Sequence, residues 1–205
     1  MRSKKLILFD LDGVLFNTKL NMKKSWENVC INFFLNKSFQ DYFSNIGIPF
    51  EDILKKIGIN KNIKKIKKFY KEQSLKHKKL IKIYPGVKFT LKSLLRYGCK
   101  IGVVTSKDNE RTKKIIKDYK LKFSVIQCPT AYLRGKPFPD TLLKAINKLN
   151  FEKKNVFYVG DTYNDYLAAK NCKIKFIFAK YGYGNIAFKS FATINNFKDL
   201  LKLKY

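Results

Sequence analysis

Five short apolar runs set the limits on what this chain can fold into: "LILF" at 6–9, "KIGVV" at 100–104, "FSVI" at 123–126, "NVFYV" at 155–159 and "IKFIFA" at 174–179. Each is too short for a helix and too uniformly apolar for a strand with one wet face. Each therefore reads as a strand covered on both sides. Between them, 86–97, 109–119, 139–149 and 163–171 carry apolar residues at helical spacing, and Pro85-Gly86 and Pro137 to Pro139 punctuate two helix starts. Strands and helices in alternation mean parallel βαβ units. The expected architecture is α/β, a three-layer Rossmann-like parallel sheet between helices.

Residues 17–83 break that rhythm. They hold no convincing strand but four amphipathic stretches, "MKKSWENVCINFFL", "FQDYFSNI", "FEDILKKI" and "NIKKIKKFYKEQSLKHKKLI". The simplest organisation is a core of residues 1–16 and 84–205, interrupted after its first strand by an all-helical insertion, 17–83. In the lysine-rich run, Ile63, Ile66, Phe69 and Tyr70 recur at helical spacing, so its lysines read as a solvated face. His77, the one histidine, has no Cys, His or acidic partner placed to complete a site, and reads as an ordinary surface residue.

A chain of 205 residues that is 45% hydrophobic and 15% aromatic can bury a sizeable core, and this excludes a disordered polymer despite a formal charge of +29. Of its 44 basic residues only Arg2, Arg96, Arg111 and Arg134 are arginine. The lysines are spread over every segment beside Asn, Ile, Phe and Tyr, residues that share AT-rich codons, so the charge reads as composition and solubility. No zinc-finger spacing, RRM signature or basic zipper is present, and no specific nucleic-acid partner is expected. Cys30, Cys99, Cys128 and Cys172 form no CxxC pair and read as reduced thiols. Asp10 interrupts the N-terminal apolar run too early for a secretion signal, and no run approaches the roughly 20 residues of a membrane span. A soluble, cytoplasmic protein without a membrane partner is expected.

In an open parallel sheet, ligands bind in the crevice beyond the carboxyl ends of the strands. The residues just past each strand therefore sample the site. Asp10 and Asp12 stand after the first, Thr105 and Ser106 after the second, Lys136 lies in the loop before the fourth, and Asp161 and Asp165 stand after the fourth. Carboxylates converging in a low-dielectric cleft repel one another, and a divalent cation resolves the conflict. Mg²⁺ takes oxygen ligands and suits Asp10, Asp12, Asp161 and Asp165 together with substrate phosphate. Thr105, Ser106, Lys136 and backbone N–H groups near Gly13 are then placed to hold phosphate oxygens.

This constellation resembles the haloacid dehalogenase superfamily. "DLDGVL" at 10–15, "VVTS" at 103–106, Lys136-Pro137 within "KPFPD", and "GDTYND" at 160–165 match its four motifs in order. "YPG" at 84–86 and "TSKDNERT" at 105–112 look like the phosphoglycolate phosphatase and β-phosphoglucomutase branch, whose helical cap is inserted where 17–83 lies. The resemblance implies a Mg²⁺-dependent phosphatase acting on a small phosphorylated metabolite, plausibly a sugar phosphate. It makes Asp10 the nucleophile that forms an aspartyl-phosphate and Asp12 the general acid and then base. It also has Thr105 and Lys136 hold the transferring phosphoryl group, and Asp161 and Asp165 hold the metal. "NIGIPFEDIL" resembles the branch's cap loop, which makes Gly47, Ile48, Pro49 and Phe50 candidates for substrate specificity. Residues 17–83 contain no arginine of the kind that grips a second anionic group in some relatives. A phosphomutase that shields the aspartyl-phosphate from water is the alternative, and a non-catalytic basic binding protein the distant one.

Overall fold

The computed structural model describes residues 5–184 and 189–203. In chain order the elements are β1 (Leu6–Phe9), β2 (Phe16–Asn17), α1 (Lys19–Asn32), α2 (Phe39–Phe43), α3 (Phe50–Lys56), α4 (Ile63–Lys76), β3 (Lys82–Ile83), α5 (Val87–Arg96), β4 (Lys100–Val104) and α6 (Asn109–Asp118). They continue with β5 (Val125–Gln127), α7 (Asp140–Leu149), β6 (Val156–Gly160), α8 (Tyr163–Cys172), β7 (Lys175–Ala179) and β8 (Ala192–Ile194). Six strands form one sheet in the order β5-β4-β1-β6-β7-β8, every pairing parallel. The chain winds outward from β1 in both directions. The crevice therefore falls at β1 and β6, where the winding reverses.

The period of two along β1 builds the three layers. Ile7 and Phe9 face α5 through Val87, Leu91 and Leu94, together with Phe197 and Leu200 of the C-terminal turn. Leu6 and Leu8 face the other way, onto Leu142 and Ile146 of α7 and Ala168 and Cys172 of α8. β1 is thus buried over its whole length. The three core cysteines, Cys99, Cys128 and Cys172, are buried free thiols, and Cys30 is a half-buried one.

Helices α1 to α4 build a second core around Trp26, Tyr42, Phe50, Leu54, Ile66 and Tyr70. The lysine-rich run is α4, with Ile66 and Tyr70 buried and Lys64, Lys65 and Lys68 exposed. His77 ends that helix half-buried, its Nε2 3.2 Å from Asn28 Nδ2. The chain enters and leaves this segment side by side, because β2 pairs antiparallel with β3. Among the described residues no helix is long and apolar enough to cross a membrane.

Candidate active site

The first strand ends in Asp10 because the sheet continues past it: the Asp10 N–H donates to the Val159 carbonyl at 2.9 Å, and the side chain emerges at the rim. Asp161 emerges one strand away, after β6. Lys136, 2% exposed, reaches between them from the loop before α7. Its ammonium lies 3.0 Å from Asp10 Oδ1 and 2.5 Å from Asp165 Oδ1. One carboxylate oxygen from each of Asp10, Asp161 and Asp165 falls within 4.8 Å of the other two.

Asp165 is the anchor of this group. A capping box at the start of α8, in which the Thr162 side chain and backbone exchange bonds with Asp165, turns its carboxylate back into the rim. Five donors converge on it: Lys136 Nζ, the Tyr158 hydroxyl at 2.9 Å, the N–H groups of Asp161 and Thr162, and the Thr162 hydroxyl at 2.6 Å. Asp161 is held differently. Tyr183 N–H donates to its Oδ2 at 2.7 Å, while its Oδ1 is buried with no donor among the described residues.

Burial pushes the Asp10 carboxyl up from 3.8 to about 7; Lys136 pulls against that rise, and Asp165 and Asp12 add to it. Burial likewise drives Asp161 well above the usual range, with the charges of Asp165 and Asp10 adding to the effect. For Lys136, burial alone would lower the ammonium's pKa, but Asp10 and Asp165 hold it well above the ordinary lysine value. The cluster thus carries more negative charge than one lysine neutralises. An orphaned Asp161 oxygen and three converging carboxylates form a hard-oxygen donor set that fits a divalent cation.

The other expected residues divide between the cavity and its edges. Thr105 is buried at the end of β4 and lines the same cavity as Asp10 and Asp12. The Asp12 carboxylate stands outside the three-carboxylate group and instead pairs with Lys107 Nζ at 2.9 Å. The Ser106 hydroxyl donates to the Gly47 carbonyl at 2.9 Å, so it ties the sheet rim to the helical segment. The Gly13 N–H, expected to face phosphate, donates to the Phe16 carbonyl at 2.8 Å. The need for glycine there is one of space: at φ +85° a Cβ would sit 2.1 Å from Asp161 Oδ2. From the helical segment, Gly47, Ile48 and Phe50 line the cavity, whereas Pro49 lines a neighbouring one beside Gly135.

Three contributions lie outside the expected site residues. Lys107, just before the N-cap of α6, and Arg111, in its first turn, are buried in the cavity wall. "YGYG" at 181–184 comes after β7, and a Cβ on Gly182 would lie 2.3 Å from Asp161 Cβ, so only glycine lets the segment close over that carboxylate. Tyr183 then spans the junction. Its hydroxyl accepts the Thr18 N–H at 2.6 Å, and its ring lies 5.2 Å from that of Phe43. The strand-end rule, extended to β7, is the signal that finds this segment.

Residues 7–179 match the family described as haloacid dehalogenase-like hydrolase. Pyrophosphatase PpaX of Halalkalibacterium halodurans is 33% identical over 172 residues, 82% of this chain and 80% of that protein. Pyrophosphatase PpaX of Bacillus cereus is 30% identical over 172 residues, with the same shares. A haloacid dehalogenase-like family hydrolase from Streptococcus pneumoniae shares the fold with a TM-score of 0.85 at 17% identity, over 98% of this chain and 99% of that one. The chain belongs to the haloacid dehalogenase-like hydrolases. Within them it is an enzyme of the phosphatase class.

Proposed function

We propose that this enzyme is a Mg²⁺-dependent phosphatase that hydrolyses a small phosphorylated metabolite through an aspartyl-phosphate on Asp10. The observation that carries the reading is the meeting of Asp10, Asp161 and Asp165 within 4.8 Å beside Lys136. Asp10 and Asp161 offer open oxygens to the ion, and Asp165, the third carboxylate of the group, also fixes Lys136. The bound cation supplies charge neutralisation at the phosphoryl oxygens.

Asp10 attacks phosphorus and forms an O–P bond as the bond to the leaving oxygen breaks. Asp12, two residues on and held by Lys107, delivers a proton to that oxygen and then takes one from the water that cleaves the aspartyl-phosphate. Thr105 and Lys136 hold the transferring group, whose charge is the main obstacle to the reaction. Residues 17–83 act as a cap that excludes bulk water, with the Ser106–Gly47 bond as one point of closure. Because two relatives are named pyrophosphatases, pyrophosphate heads the substrates to assay, with sugar phosphates beside it.

The test is hydrolysis of p-nitrophenyl phosphate by wild type and Asp10→Asn, with Mg²⁺ or EDTA. Activity is expected only in the wild type with Mg²⁺. Undiminished turnover by Asp10→Asn rejects the nucleophile, and undiminished turnover in EDTA rejects the metal. Isomerised sugar phosphate without free phosphate would identify a mutase instead.

A further inference from the structure

The two aspartates after β6 are held in unlike ways. Asp165 has five donors, three of them supplied by Asp161 and Thr162 just ahead of it. Asp161, fully buried, receives the Tyr183 N–H on Oδ2 at 2.7 Å and has no donor on Oδ1 among the described residues. A carboxylate offered to a cation is turned by its other contacts, and the groups that turn a ligand commonly change metal affinity tenfold or more. For Asp161 that task falls to residues 181–184.

This segment, "YGYG", divides its contacts by residue type. The glycines press on Asp161: a Cβ on Gly182 would lie 2.5 Å from Oδ2, and one on Gly184 2.0 Å from the Asp161 carbonyl oxygen, so neither position admits a side chain. The tyrosines reach the two strands through which the chain enters and leaves residues 17–83. Tyr181 donates to the Val14 carbonyl, just ahead of β2, at 2.9 Å and packs edge-on against Tyr84, next after β3, with ring centres 5.0 Å apart. The Tyr183 hydroxyl accepts the N–H of Thr18, between β2 and α1, at 2.6 Å, and its own proton has Thr18 Oγ1 at 3.2 Å and Asn17 Oδ1 at 3.4 Å within reach. Its ring meets that of Phe43 in α2 at 5.2 Å. Tyr183 thus touches Asp161 with its backbone and the helical segment with its side chain.

We propose that Tyr183 is a positioning residue for the cation site: it holds the Asp161 carboxylate in its ligating orientation and makes that orientation depend on the seating of residues 17–83. This deepens the proposed phosphatase function and rests on its metal site. The physical link is the N–H bond to Oδ2, which weakens steeply when donor and acceptor leave their line. A helical segment lifted from Tyr183 frees the strap, and the strap frees Asp161. By linkage, cation binding and seating of the segment strengthen each other by the same factor.

The experiment reads Mg²⁺ affinity without turnover, from the rise of Tm across a Mg²⁺ titration. It compares wild type, Tyr183→Phe, Tyr183→Ala, Phe43→Ala and the double variant Tyr183→Ala/Phe43→Ala. Tyr183→Phe keeps the ring and loses the Thr18 bond, and should weaken Mg²⁺ about fivefold. Tyr183→Ala loses both grips and should weaken it about tenfold or more. Phe43→Ala removes no ligand atom yet should also weaken Mg²⁺, and the double variant should be no weaker than Tyr183→Ala, because both deletions break one path. On p-nitrophenyl phosphate, kcat at saturating Mg²⁺ should stay within a factor of two while the Mg²⁺ activation constant rises in step with the affinity loss. Wild-type Mg²⁺ affinity in either Tyr183→Phe or Phe43→Ala overturns the proposal, whatever happens to the metal-free Tm. A tenfold fall in kcat at saturating Mg²⁺ in Tyr183→Phe overturns it too, by placing the hydroxyl with the reacting atoms. A wild-type Tm that does not rise with Mg²⁺ refutes the metal reading itself, and this inference with it.

Discussion

The rim of the sheet and the helical segment above it are both buried, and in opposite ways. At the rim Asp10, Lys136, Asp161 and Asp165 are each at most 3% exposed, and each charge depends on particular neighbours. In the helical segment the buried mass is aromatic: Trp26 stacks on Tyr42 at 4.8 Å and Phe50 on Tyr70 at 4.4 Å, with the two tyrosine hydroxyls 2.9 Å apart. Coulomb energies in a low-dielectric interior change steeply when a partner is lost, whereas apolar packing accommodates changes of shape that conserve volume. The rim is therefore fixed by chemistry, and the helical segment is free to change what it admits. Substitutions on either side can break or sharpen that contrast.

The largest effect belongs to Lys136. In Lys136→Ala two buried carboxylates lose their shared cation, which is expected to cost about 3–5 kcal/mol of stability and to abolish measurable turnover. Chemical denaturation and phosphate release read the two losses. Trp26→Ala, the matching deletion in the helical core, should cost a similar 3–5 kcal/mol yet leave turnover reduced only in proportion to the folded fraction. If Trp26→Ala silences the fully folded enzyme, the contrast fails.

A smaller effect comes from protons. Folded, Asp10 holds its proton up to about pH 7 instead of 3.8, and Asp161 shifts in the same direction. Between those pH values the metal-free folded state binds more protons than the unfolded chain. Its stability from these groups is thus fully present below about pH 4 and is lost as pH rises through about 7. In EDTA, the wild-type Tm should fall more steeply from pH 5 to 8 than that of Asp161→Asn, and added Mg²⁺ should raise it at pH 8 far more than at pH 5. Parallel curves for the two proteins would show that the rim carries no such strain.

The legible parts of the molecule are those set by local pattern. Apolar runs announce β1, β4, β6 and β7 to within a residue, and β5 starts two residues later because "FSVI" begins with Phe123 and Ser124 before the paired residues Val125–Gln127. β8 has no such signal: "ATI" offers three residues with no apolar alternation to mark them. Asp10 and Asp161 are readable because a charge directly beyond a buried strand has few other uses, and Lys136 and Asp165, further along, because they stand in "KPFPD" and "GDTYND". Lys107 and Arg111 lie within the quoted "TSKDNERT", but their inward direction depends on how α6 sits beneath Tyr70, a tertiary relation no local spacing encodes. The same limit explains Gly13, whose N–H is taken by Phe16 in a tight turn that sequence alone does not reveal.

Ser106→Ala gives the smallest change and the sharpest reading. By sequence the residue belongs with Thr105 as a phosphate ligand; in the fold its hydroxyl reaches across to the Gly47 carbonyl, joining the charged rim to the aromatic segment. A hydroxyl acting as this latch contributes about 1 kcal/mol, so its removal should raise KM about fivefold while kcat stays within a factor of two. A phosphate ligand acting in the transition state would instead lower kcat about tenfold or more with little change in KM. Steady-state kinetics on one substrate separates the two outcomes. A fall in kcat would place Ser106 with the chemistry of the rim, and a rise in KM alone would make it the seam between two regions built on different physical terms.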